Sequence, residues 1–423
     1  MNNSNSKLQT PKSVAVLHYA APPGIGGVEV TMLHHARVLA NQGNAVRLVA
    51  GSGGIEQPGV SNTIDPLFGS RGDALDAVTR SLAQGQTGAA FDSLVDQIAP
   101  RLAEALAGAD VLIAHNVLSL HKNLALTAAL HRLHTAGRAP TILAWCHDFA
   151  WRDPLYQPEL HPGHPWNLLR HPWPGVRYVV VSADRQSILA ELLGLPSSEI
   201  TVVTPGVDLA GMLKLEVDTV ALVERHQLLQ ANPLLLLPAR ITRRKNIELG
   251  IAIVGALRAE GLAPRLVVTG PPGPHNPTNA AYLAQLEAQI AASGADDAVL
   301  FLYRAYTSGD RPKPVSDALL ADLYRLADGL LFPSRSEGFG IPMVEAGLIG
   351  LPIFCSDIPP FHEIAGDAAH YFDPQSDPRT IAHMIAGFYR GSAAHHLRRR
   401  TRLHATWDAI YHQSIAPLLA SSP

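Results

Sequence analysis

The chain has 423 residues, 47% of them hydrophobic and 16% charged, enough apolar material for two cores and too much for broad disorder. A formal net charge of −3 leaves none of the basic footprint that general nucleic-acid binding needs. Cys146 and Cys355 lie far apart in apolar, strand-like runs, so they read as buried free thiols suited to a reducing cytoplasm rather than as a disulfide framework.

In chain order, residues 1–12 are polar and read as a loose, flexible tail without the apolar stretch of a signal peptide. No run of about 18 apolar residues follows anywhere, so no membrane span is expected. Short β-branched runs then alternate with helical patterns, the rhythm of parallel sheets wrapped by helices on both faces. Strands are expected at 13–18, 45–50, 111–115, 141–147, 177–182 and 200–204, then at 234–239, 265–270, 299–303, 329–333 and 352–356. The stretch 205–222 reads as the connection between domains, while 270–278 and 304–317 read as surface loops. Beyond about 390 a long helix is expected, basic at Arg398, Arg399, Arg400 and Arg402 and apolar at Trp407, Ile410 and Leu418. The division is therefore a tail over 1–12, an N-terminal domain over 13–205, a C-terminal domain over 206–390, and a terminal helix over 391–423 packing back on the first domain.

Chemistry concentrates at 332–346. Here an apolar strand gives way to a turn with Gly338, Phe339 and Gly340, then to a helix opened by Ile341 and Pro342. Proline suits the first helical turn, and glycine lets backbone approach a ligand. A helix N-terminus offers free N–H groups and partial positive charge, a seat for phosphate. Glu337 falls before the helix and Glu345 one turn inside it, so both carboxylates can border one pocket and accept hydrogen bonds from sugar hydroxyls. Arg240 follows another strand at the end where open α/β sheets bind ligands, with Lys245 just beyond. Two cations there could neutralise a diphosphate. Arg243 and Arg244 fit a solvated loop better.

In the first half, His18 ends a strand and Gly26, Gly27 and Glu29 lead into a helix with Val28, Met32, Ala36 and Leu39 at helical spacing. His147 and Asp148 end another strand, as do His115 and Asn116. There is no H-E-x-x-H, C-x-x-C or D-x-D, so no metal or other cofactor is expected.

The segment 234–375 resembles the C-terminal half of the family-4 glycosyltransferases. Their paired glutamates, separated by seven residues, match Glu337 and Glu345, with Pro333, Ser334, Gly338, Phe339 and Gly340 in place. Gly350-Leu351-Pro352, Ser356 to Pro359, His362-Glu363 and Phe372 to Pro374 continue the similarity. The resemblance implies the GT-B architecture: two Rossmann-like, doubly wound α/β domains facing across a cleft, with a C-terminal crossover helix. It implies transfer of a hexosyl unit, with retention of configuration, from a nucleotide-diphosphate sugar to a hydroxyl of a saccharide, small molecule or lipid. Glu337 would hold the donor sugar and Glu345 the ribose. Arg240 and Lys245 would hold the diphosphate, backbone N–H groups around Gly340 to Met343 the sugar and phosphate, and backbone near Tyr303 and Arg304 the base, with Gly338 and Phe339 also on the donor side. Gly26 and Gly27 would line the donor side; Glu29, His115, Asn116 and Asp148 the acceptor side; His147 would meet the donor sugar. An epimerase or phosphorylase of the same fold, and a non-catalytic sugar-nucleotide-binding protein, are the alternatives. The donor base and sugar, the acceptor, the oligomeric state and attachment to the inner face of a membrane are left open.

Overall fold

The computed structural model describes residues 10–24, 26–272, 278–308 and 311–420. These divide into two units, one of the chain up to Val207 together with the stretch from Ala405, the other Asp208–His404.

The first unit opens with β1 (Ser13–Leu17), α1 (Gly27–Asn41), β2 (Ala45–Ala50) and β3 (Val60–Ile64). It continues through α2 (Asp73–Ala83), α3 (Ala89–Ala105), β4 (Val111–His115), α4 (Leu124–Thr135) and β5 (Thr141–Cys146). Next come β6 (Arg177–Val180), α5 (Ala183–Leu193) and β7 (Ile200–Val202). The strands form one sheet in the order β3-β2-β1-β4-β5-β6-β7, parallel throughout. Both faces are covered, so successive residues of β1 go to different layers: Ala15 and Leu17 to one core, Val14 and Val16 to the other.

The second unit begins with α6 (Leu209–Leu213), α7 (Val217–Arg225), β8 (Leu234–Leu237), α8 (Ile247–Ala259) and β9 (Arg265–Val268). Then follow α9 (Thr278–Ser293), β10 (Val299–Phe301), α10 (Leu302–Ala305), β11 (Thr307–Ser308) and β12 (Arg311–Pro312). The rest is α11 (Asp317–Leu326), β13 (Gly329–Phe332), α12 (Ile341–Leu348), β14 (Ile353–Ser356), α13 (Pro359–Ala365), β15 (His370–Phe372), α14 (Pro378–Gly391) and α15 (Ala393–His404). Its main sheet, β10-β9-β8-β13-β14-β15, is also parallel. β8 is four leucines: Leu235 and Leu237 face one layer, Leu234 and Leu236 the other. Both units are thus Rossmann-like α/β domains.

Every strand expected from the sequence is present, but four stretches differ. β3 is a polar edge strand and β15 a three-residue edge strand, too weakly patterned to announce themselves. The strand at 299 stops at Phe301 and turns into α10, and the loop after it is a β11–β12 ribbon, with 309–310 outside the described residues. Of the loop at 270–278, residues 273–277 lie outside them as well, as do 1–9 of the tail; Lys12 is already anchored, its N–H on Asn44 Oδ1 at 3.1 Å.

The expected terminal helix is two structures. α15 stays with the second unit, where the buried carboxylate of Asp328 accepts from Arg402 at 2.9 Å and from the Leu234 N–H at 2.8 Å, while His395 bonds Asn232 at 2.9 Å. Arg402, one of the basic residues of the expected helix, is buried. The boundary therefore falls after His404, not at 390. Only α16 (Trp407–Ile410), a wider π-type turn at Tyr411–Ile415 and α17 (Ala416–Ala420) pack on the first unit, adding Ile410, Ile415 and Leu419 to the core beside Met32 and Leu39. Packing within the first unit is close there: a Cβ on Gly206 would lie 3.0 Å from the Trp407 nitrogen.

Candidate functional site

In an open parallel sheet, ligands bind beyond the carboxyl ends of the strands where the strand order reverses. That point lies between β8 and β13 in the second unit, and between β1 and β4 in the first. Apart from Tyr303 and Arg304, the residues singled out from the sequence follow strands at or next to these two places.

Beyond β8 the chain runs through Arg240 to a short turn, Arg243–Lys245, and enters α8 at Asn246, whose φ is +52°. Gly270, after β9, packs on this loop so closely that a Cβ would lie 2.6 Å from the Arg240 Cα. Beyond β13, the chain enters the turn carrying Glu337. Glu337 Oε1 accepts from Lys245 Nζ at 2.6 Å and Oε2 from Arg244 Nη1 at 2.7 Å. The Glu337 and Lys245 side chains are only 7% and 13% exposed, so this is a partly desolvated pair, and removing either partner would leave the other charge short of both solvent and counter-charge. Arg335 braces the same turn, bonding Asn246 at 3.0 Å and Glu248 at 3.1 Å.

Gly340 precedes α12 with φ +136°, and a Cβ there would meet Phe361 and Ile364 at 3.1 Å, so the turn requires glycine. Pro342 takes the first helical turn. Phe339, Ile341 and Val344 are exposed apolar side chains at this end of the helix. Glu345 accepts from the Tyr324 hydroxyl at 2.5 Å; burial first, and then Glu345, push the Tyr324 phenol upward, so it stays a donor.

The structure does not bring all the expected residues into this contact. Arg240 is exposed and makes no hydrogen bond or ion pair among the described residues. Tyr303 and Arg304 lie on α10, where Arg304 pairs with Glu287 at 2.5 Å and the buried Tyr303 hydroxyl has no partner among the described residues. Arg244, assigned to a solvated loop from the sequence, is half of the clamp on Glu337. Its signal was adjacency to Lys245, which composition alone cannot weigh. Arg243 does point away, to Gln285 at 3.0 Å.

In the first unit, His18 ends β1 and His115 ends β4, the two strands flanking the reversal. His115 Nδ1 lies 3.0 Å from His147 Nε2, and His115 Nε2 lies 3.3 Å from His35 Nδ1 on α1. His18 Nδ1 donates to the His115 carbonyl at 2.9 Å. Asn116, at φ +57°, accepts from the His147 N–H at 2.7 Å and reaches Asp148 at 3.4 Å. Burial is the main cause that lowers all four imidazoles: His35 to about 3, His147 to about 4, His115 well below 6.5, and His18 downward despite its carbonyl partner and Glu29. They are neutral at neutral pH. Gly26 and Gly27 open α1, and the Glu29 carboxylate folds back over Gly26. His35 escaped the sequence reading; its trace was a polar residue four before Leu39 on the apolar face of α1.

Among the described residues, no group of three His, Cys, Asp or Glu side chains could hold a metal, and no helix is long and apolar enough to cross a membrane.

Residues 25–210 match the model described as Glycosyltransferase Family 4, and residues 222–404 that of Glycosyl transferases group 1. A serotype-specific mannosyltransferase WbdA of Escherichia coli is 44% identical over 71 residues, 17% of this chain and 9% of that protein. A D-inositol 3-phosphate glycosyltransferase of Jonesia denitrificans is 28% identical over 241 residues, 54% of each chain. The chain thus spans under a tenth of the first relative's length and about half of the second's. Among solved structures, Anabaena Alr3699/HepE in complex with UDP and glucose is 16% identical, covering 97% of this chain and 100% of that one, with a TM-score of 0.34. The two family matches between them span both α/β units, and the chain belongs to the family 4, group 1 glycosyltransferases.

Proposed function

We propose that the protein moves a hexosyl unit from a nucleotide-diphosphate sugar to a hydroxyl acceptor, retaining the anomeric configuration and using no metal. The observation that carries this reading is the clamp of Lys245 and Arg244 on Glu337 at the strand-order reversal of the second unit, with Glu345 one turn into the adjoining helix.

Breaking the sugar–phosphate bond builds positive charge on the ring and negative charge on the leaving diphosphate. A stabilised leaving group needs cations already in place, so that none must be organised as the bond breaks. Lys245 and Arg244 are held in place by Glu337, and the exposed Arg240 adds a third charge. When a diphosphate takes over those cations, the Glu337 oxygens become free to accept from sugar hydroxyls. The acceptor oxygen then bonds to the anomeric carbon on the face the diphosphate leaves, and its proton passes to a diphosphate oxygen. Glu345, oriented by Tyr324, takes the ribose hydroxyls. In the N-terminal unit, His147 serves the donor sugar as a neutral imidazole.

The mannosyltransferase relative makes mannosyl donors the first to try. The test is a thermal-shift screen of UDP-, GDP- and ADP-sugars, followed by nucleotide release with saccharide, small-molecule and lipid acceptors. Stabilisation by one donor and acceptor-dependent release support the proposal; no stabilisation and no release from any of them contradict it.

A further inference from the structure

Three imidazoles form a line from the core of the first unit to the end of its sheet: His35, fully buried on α1; His115, fully buried at the end of β4; and His147, half-buried after β5. The two junctions are nitrogen to nitrogen, 3.3 Å and 3.0 Å. A neutral imidazole has one N–H and one lone pair, so each junction is a hydrogen bond only if one side is protonated and the other is not. Choosing the proton position on one ring therefore fixes it on all three.

Only two arrangements satisfy both junctions. If the bonds run inward, His147 Nε2–H donates to His115 and His115 Nε2–H donates to His35. That leaves a buried N–H at His35 Nε2, an atom with no hydrogen-bond partner among the described residues. If they run outward, His35 Nδ1–H donates to His115 Nε2 and His115 Nδ1–H donates to His147 Nε2. His35 Nε2 then keeps only a lone pair. Buried N–H groups without an acceptor are among the rarest defects in folded proteins, and lone pairs are left over more readily. The rings around His35 are Trp145, edge-on at 4.5 Å, and Trp407 at 5.4 Å, neither of which offers a lone-pair acceptor.

We propose that His35 and His115 are positioning residues that lock His147 into the Nδ1–H form, so that the nitrogen it leaves unbonded within the protein is a fixed hydrogen-bond donor. This role in transfer rests on the assignment of His147 to the donor sugar given above. Neutrality of all three rings, which the arrangement requires, follows from their burial. The main chain is held as well, because the Asn116 side-chain oxygen accepts from the His147 backbone N–H. Such a His147 can polarise a sugar hydroxyl or phosphate oxygen but cannot take a proton from one. The line also ends blindly at His35, so it sets a tautomer and does not conduct protons to solvent.

The test is long-range proton–nitrogen correlation on full-length protein labelled with 15N-histidine at pH 7.5, with His147 assigned by the signal lost in His147→Gln. The expected spectrum has the proton on Nδ1 in His35, His115 and His147 alike, and a mixed His147 tautomer in His35→Leu. With the nucleotide-sugar that stabilises the protein most, His35→Leu is expected to lower kcat about fivefold and leave the donor KM within about twofold. His35→Asn, whose amide can donate from near the Nδ1 position, should restore most of the rate. A proton on His147 Nε2 in the wild type, or an unchanged His147 tautomer in folded His35→Leu, overturns the proposal. The expected spectra together with wild-type transfer by His147→Gln would uphold the lock and remove His147 from the reaction.

Discussion

Lowering the pH from 7 to 5 should destabilise the N-terminal unit specifically. His35 is fully buried and its imidazole pushed down to about 3, while His115, also fully buried, lies well below 6.5. Histidine in the unfolded chain titrates near 6.5. The unfolded state therefore binds protons between pH 7 and 5 that the folded state refuses, and stability falls as pH falls. The loss begins as pH drops through 6.5 and ends only when the folded rings themselves titrate. For His35 the cost at pH 5 relative to pH 7 is about 2 kcal/mol, and His115, shifted in the same direction, adds to it, against a typical domain stability of roughly 5–15 kcal/mol. His18 and His147, shifted the same way, add to this. The assay is urea unfolding followed by tryptophan fluorescence. All five tryptophans, Trp145, Trp151, Trp166, Trp173 and Trp407, lie in the N-terminal unit, so the signal reports that unit alone. In His35→Phe the pH dependence should shrink by about 2 kcal/mol. Equal unfolding free energies at pH 7 and pH 5 would refute the neutral, buried histidine line.

Three further outcomes follow from the second unit. Arg244→Ala should reduce kcat/KM for the donor about tenfold, while Arg243→Ala, whose partner is Gln285, should leave it within about twofold; steady-state nucleotide release separates them. Tyr324→Phe removes the hydroxyl that holds Glu345 and should raise the donor KM about threefold to tenfold, read by the same assay. Gly340→Ala places a Cβ against Phe361 and Ile364 at a φ of +136°, and should cost about 1–3 kcal/mol, seen as a fall of about 2–12 °C in Tm.

The strands and the Glu337-to-Glu345 turn were legible because their signals are local. A four-leucine run such as β8, or glycines and a proline opening a helix, declare their structure without reference to the rest of the chain. What stayed hidden depends on pairing across sequence distance. Arg244 and Arg243 are neighbours with the same chemistry, and only the fold decides that one meets Glu337, 93 residues on. Four arginines near 400 have the same chemistry, and only the fold buries Arg402 against Asp328, over 70 residues earlier. His35 and His115 are 80 residues apart, and neither predicts the other. The edge strands β3 and β15 escaped because an edge needs no continuous apolar run.

The most direct measurement is nucleotide release from the preferred donor by wild type, Glu337→Ala and Lys245→Ala, with circular dichroism confirming that each variant is folded. If these groups grip the sugar and stabilise the departing diphosphate, each variant should lose at least about a hundredfold in rate, equivalent to about 2.7 kcal/mol of transition-state stabilisation. Wild-type release by both folded variants would contradict the assignment of the donor site to Glu337 and Lys245.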